Sequence, residues 1–185
     1  MFKQGIFFLL LFFQISLLAQ QNNMLEVKSG SAAFKSDAPL EMIEASSDEL
    51  KGLLDPSNGN FAFSINTKSF VGFNNPTQQE HFYENYLETT DYPTASYSGK
   101  IIEDFDLSKD GIFEIRAKGK LKIHGISKER IIKCKLKVEK GKVEFESLFT
   151  VRLEDHQITI PKIVNQKIAE EIIVVIKGEM APKKS

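Results

Sequence analysis

From residue 112 to residue 153 the chain alternates apolar and polar residues with few exceptions, and no other feature narrows the choice of fold as far. Phe113, Ile115, Ala117, Gly119, Leu121 and Ile123 fall on one side, and Glu114, Arg116, Lys118, Lys120 and Lys122 on the other. Ile132, Cys134, Leu136 and Val138 resume the pattern against Lys133, Lys135, Lys137 and Glu139. Val143, Phe145, Ser147, Phe149, Val151 and Leu153 carry it through a third segment. Successive side chains of a strand point to opposite faces, so period two predicts strands with one buried and one wet face. The breaks, at residues 124–129 and 139–142, are too short for a parallel crossover, so the three strands form an antiparallel meander.

Weaker strands are expected near residues 25–34 and 40–45, and firmer ones at Phe61, Phe63, Ile65 and Thr67 and across residues 94–102. The β-branched run Ile172-Ile173-Val174-Val175-Ile176 suits a strand that closes a sheet or is covered on both faces. The total is about eight strands at ordinary lengths. One segment departs from the pattern: Asn75-Pro76 looks like a cap followed by a first helical residue, and Phe82, Tyr83, Tyr86 and Leu87 follow at helical spacing. Asp91-Tyr92-Pro93 ends that helix.

With 185 residues, 42% hydrophobic and 26% charged, the chain has the length and composition of one globular domain. Residues 1–19 read as a signal peptide, a lysine before the apolar block IFFLLLFFQISLLA with cleavage after Ala19, so a soluble periplasmic or secreted protein is expected, its domain spanning residues 24–181. Cys134 is the only cysteine, so no intrachain disulfide forms and stability comes from packing. A formal charge of -1 and a pI of about 6.3 give no ground for binding nucleic acid.

Strands of this kind bury their apolar face by pairing two sheets or by curling one into a barrel, and periodicity does not choose between them. Ala95, Gly99, Ala117, Gly119 and Ser147 are small inward residues that either accommodate large neighbours or leave room for a ligand. The choice is narrowed by the order of four motifs. Phe34-Lys35-Ser36-Asp37-Ala38-Pro39 comes first, then Gly59-Asn60-Phe61, then Gln79-Glu80-His81-Phe82 through Asp91-Tyr92-Pro93-Thr94, then Gly119-Lys120-Leu121-Lys122-Ile123-His124-Gly125-Ile126-Ser127-Lys128. In this combination the sequence resembles the YceI-like family over nearly the whole expected domain. The resemblance implies an all-β fold, an antiparallel eight-stranded lipocalin-like barrel with one short helix near the mouth. It also implies an interior that sequesters a long isoprenoid or related lipid. The family's Arg-Asp before the helix histidine reads Gln79-Glu80 here, and its Asp-Phe-Gly after the late arginine gives way to Leu153-Glu154-Asp155-His156.

On that basis the expected cavity lining is Phe61, Phe63, Ile65, Tyr97, Phe113 and Ile115 on the earlier strands, with Leu121, Ile123, Leu136, Val138, Phe145 and Phe149 on the later ones. Tyr83 and Tyr86 would guard the mouth. His124, beside Gly125 at a reversal of the chain, reads as a residue that bonds the turn, and Cys134 as a buried apolar filler. His81 is placed on the polar side of the helix and His156 in a loop; no His or Cys pair stands at metal-ligand spacing, and no cofactor is implied. Neither a nucleophile elbow nor a phosphate-cradling loop is present, so an enzyme is not expected; an ester hydrolase with its site at the mouth is the least favoured reading. The rival to a lipid carrier is an exported structural or interaction barrel without ligand. The basic stripes of residues 116–122 and 133–137 could touch an anionic membrane transiently, but the glutamates among them favour a solvated face. Whether two copies pair as a homodimer stays open.

Overall fold

The computed structural model describes residues 24–183, so the expected leader lies outside the described residues. Nine strands follow one another: β1 (Leu25–Asp37), β2 (Met42–Ser47), β3 (Lys51–Leu54), β4 (Asn60–Asn66), β5 (Thr94–Ile101), β6 (Gly111–Ile123), β7 (Ile126–Glu139), β8 (Lys142–Arg152) and β9 (Glu171–Pro182). Each pairs antiparallel with its neighbours, and β9 returns along β1, which closes the sheet into a barrel. β2 and β3 share one edge of β1, the first against residues 32–37 and the second against residues 25–26. Nine strands therefore make eight staves. The short β3, Lys51-Gly52-Leu53-Leu54, has no alternation of its own to announce it, which is why the sequence does not separate it from β2.

Parity along the meander is as the sequence implies. Ile115, Leu136, Val138, Val143 and Phe145 are buried, while the charged residues between them are exposed. Both hairpins are two-residue turns in which each central residue takes positive φ: His124 (48°) and Gly125 (73°), then Lys140 (50°) and Gly141 (79°). That twist matches the flanking strands. On the outer face, acids stand opposite the basic stripes at Glu114 and Lys135, Lys120 and Glu129, and Lys137 and Glu144.

The ladder between β7 and β8 covers only residues 135–139 against 142–146. Beyond it side chains bridge the two strands: Ser147 Oγ donates to Lys133 O at 2.6 Å and an Arg130 guanidinium N–H to Thr150 O at 2.8 Å. The turn Leu153–His156 then folds back onto β7, where His156 Nδ1 donates to Ile126 O at 3.1 Å. Arg130, Ser147 and His156 thus satisfy backbone groups left open by a missing stretch of sheet.

Between β4 and β5 lies the expected helix, α1 (Pro76–His81), capped by Asn75, whose side chain accepts from Gln78 N at 2.9 Å. It ends in a wider turn, Phe82–Tyr86, in which Leu87 N donates to Phe82 O at 2.9 Å, five residues back. That widening sets the direction in which Phe82 and Tyr86 point relative to the barrel.

Candidate functional site

The barrel interior is divided in two. Its lower part, toward the Asp55–Gly59 and Lys140–Gly141 turns, is solid: Phe61, Ile115, Leu136, Val138, Val143 and Phe145 are all buried and pack with Leu25, Leu54, Ile101 and Met180. Above them lies an apolar cavity of about 480 Å³. Its wall comes from β4 (Phe63, Ile65), β5 (Ala95, Tyr97), β6 (Leu121, Ile123) and β8 (Phe149, Val151), and from Ile172, Val174 and Ile176 of β9. Solvent-exposed Asn75, Thr77, His81 and Lys167 also line it, so it opens to the surface beneath the helix and beside the loop that follows β8.

The floor is aromatic. Phe63 on β4 meets Phe145 on β8 with ring centroids 5.5 Å apart, and these staves stand four apart in a barrel of eight, directly across the lumen. Each ring lies on a glycine of the adjoining strand. A Cβ on Gly52 would come within 2.3 Å of the Phe63 ring, and one on Gly178 within 2.8 Å of Phe145. Phe61 and Tyr97, 5.0 Å apart, complete the floor. The Tyr97 hydroxyl donates to Ala117 O at 2.6 Å, and burial pushes its pKa up to about 12, so it is a neutral donor.

The roof is aromatic as well. Phe82 stacks on Phe34 at 5.2 Å and touches Phe73 at 5.1 Å and Phe70 at 5.8 Å. Two polar ties hold the segment down. Tyr83 Oη donates to Phe70 O at 2.7 Å, and His124 joins the loop after the helix to the β6–β7 turn. His124 Nε2 lies 2.7 Å from Glu88 Oε2 and its Nδ1 3.1 Å from His156 O. His124 is therefore a latch at the turn, with Tyr92 packed edge-on against it at 4.6 Å.

Of the residues the sequence nominates for the lining, Phe63, Ile65, Tyr86, Tyr97, Leu121, Ile123 and Phe149 meet at the cavity. Phe61 and Phe145 stand at the floor with Phe63 but turn toward the solid part and do not line the cavity, and Phe113, Ile115, Leu136 and Val138 have the right parity but lie below that floor. Tyr83 is also elsewhere, since its hydroxyl is engaged with Phe70 O and with Gln79 Nε2 at 2.7 Å. Ala95 lines the cavity, but Gly99 and Gly119 leave no room: they face each other where β5 and β6 approach so closely that a Cβ on Gly99 would sit 2.1 Å from Lys118 O.

The roof phenylalanines and the β9 wall escape the sequence reading. The uniform run of residues 172–176 hides its phase, and residues 70–73 belong to no periodic element. His156 is not in an open loop but fully buried; burial lowers its pKa, and with the Nδ1 proton committed to Ile126 O its Nε2 has no partner. His81 is at the cavity mouth. Cys134 faces inward and half-buried, and burial pushes its thiol up to about 11, so it carries no nucleophilic charge. Among the described residues no three His, Cys, Asp or Glu side chains gather where they could hold a metal.

A closed eight-stave antiparallel barrel, open under a helix at one end and lined by apolar side chains, defines the lipocalin-like class of small β-barrels. The YceI-like domain family matches residues 25–180, and the chain belongs to that family. No curated protein matches the sequence. Among solved structures, a polyisoprenoid binding domain from Saccharophagus degradans implicated in plant cell wall breakdown aligns with TM-score 0.73 at 12% identity, over 86% of this chain and 98% of its own. BcnA of Burkholderia cenocepacia aligns with TM-score 0.67 at 13% identity, over 81% and 95%. The YceI protein of Campylobacter jejuni aligns with TM-score 0.55 at 20% identity, over 94% and 92%. At these identities the likeness is one of fold.

Proposed function

We propose that this protein is an exported carrier that holds the hydrocarbon tail of a lipid in the upper half of its barrel and keeps the polar end at the mouth. The observation that carries the reading is the cavity: about 480 Å³, apolar, floored and roofed by rings, and open beside exposed polar residues. That is the size and character of a small-molecule site. Each methylene moved from water into it contributes about 0.8 kcal/mol, so a tail supplies the affinity without any catalytic group. The Saccharophagus degradans domain that shares this fold is a polyisoprenoid binding domain, which agrees with a carrier of lipid tails. The apolar leader at residues 1–19 supports export to a periplasm or beyond. A filled interaction module would need no such opening.

The test is organic extraction of protein purified from its native host, followed by mass spectrometry. The carrier reading expects one lipid species or a narrow set at near-equal molar ratio. Protein that carries no lipid, and binds none when offered host lipid extract, would refute it.

A further inference from the structure

We infer that the Phe63–Phe145 contact is a molecular ruler, and that the ligand class is a single-tailed amphiphile with a chain of about 20 carbons or fewer; the inference rests on the carrier reading. An apolar cavity of about 150 Å³ accepts a benzene ring, which is about 25 Å³ per carbon, so about 480 Å³ holds roughly 20 carbons. A longer tail meets no further space. The two rings touch across the full diameter of the lumen, and Phe61 and Tyr97 close the remaining floor.

The rings are also held in place. Phe63 rests on Gly52 and Phe145 on Gly178, and the Tyr97 hydroxyl is tied to Ala117 O. Beneath them Leu136, Val138, Val143 and Met180 are each no more than 3% exposed, so no channel continues downward. A polyprenyl chain of about twice this length would leave half its carbons in water, where they add nothing to binding.

The experiment uses unbranched primary alcohols of about 8 to 28 carbons, delivered from cyclodextrin, to displace the fluorescent probe N-phenyl-1-naphthylamine from the purified protein; affinity should rise about fourfold per methylene and level off near 20 carbons. In Phe63→Ala, loss of the ring opens one ring's volume below the floor, and the break should move out by about six carbons. Phe63→Leu serves if the larger deletion does not fold, with a smaller outward shift. A rise that continues to the longest chains, or a break that stays put in a folded Phe63 variant, overturns the ruler while leaving the carrier intact. Failure of every alcohol to displace the probe overturns both.

Discussion

Filling the cavity from its wall should abolish tail binding without harming the fold, and Ala95→Phe is the substitution to use. Ala95 sits on β5 opposite Ile65, half-buried, with its methyl at the cavity surface. A phenyl ring there takes about 150 Å³ by the benzene comparison, close to a third of the 480 Å³ available. Space for about six tail carbons disappears, and at about 0.8 kcal/mol each that is roughly 5 kcal/mol, on the order of a thousandfold or more in affinity. The fold gains rather than loses, because the new ring enters a void lined by Ile65, Leu121 and Val174 instead of displacing packed atoms. Probe displacement by a long alcohol reads the first effect, and a thermal melt with far-UV circular dichroism reads the second. A variant that melts at or above the wild-type temperature yet binds the tail with wild-type affinity would refute the reasoning.

Three further outcomes follow from the same geometry. Gly52→Ala drives a Cβ against the Phe63 ring and should cost about 1–3 kcal/mol in urea unfolding while also weakening tail binding; normal stability would contradict the seated floor. His156 is buried neutral, so below its ordinary value of 6.5 the unfolded chain binds a proton that the folded one refuses. Stability should therefore fall as pH drops through that value, with a slope approaching about 1.4 kcal/mol per pH unit, and His156→Gln should remove that part of the slope. His124→Ala and Glu88→Ala, combined in a double-mutant cycle, should show coupling of about 0.5–1 kcal/mol, modest because the Glu88 side chain is 47% exposed; additive losses would mean that the latch is not formed in solution.

The barrel was legible because its strands have one wet face. From β6 to β8 the alternation assigns most side chains to a face and the structure keeps those assignments, but residues 126–129, read as part of the turn, are already paired as the start of β7. What parity cannot say is how far along the barrel axis a residue sits. Phe63 and Phe113 are both inward aromatics, yet one bounds the cavity and the other packs against the solid core. That distinction is set by pairs of staves on opposite sides of the lumen, such as Phe63 with Phe145, whose separation in sequence leaves no local pattern. Gly52 and Gly178 read as weak points in strands, whereas in three dimensions they are the seats of the floor rings. The roof was hidden for a different reason: Phe70 and Phe73 lie in an irregular segment whose position depends on hydrogen bonds from Val71 to Ser46 and from Tyr83 to Phe70.

The most direct measurement is a crystal structure of the protein bound to a primary alcohol brominated at the end of its tail, with the bromine located by anomalous scattering. The account predicts one bromine site above the Phe63–Phe145 contact, among Ile65, Leu121 and Val174, with the hydroxyl toward His81 and Lys167. A bromine beside Leu136 or Val138, or side chains closed over the upper lumen with no tail inside, would contradict it.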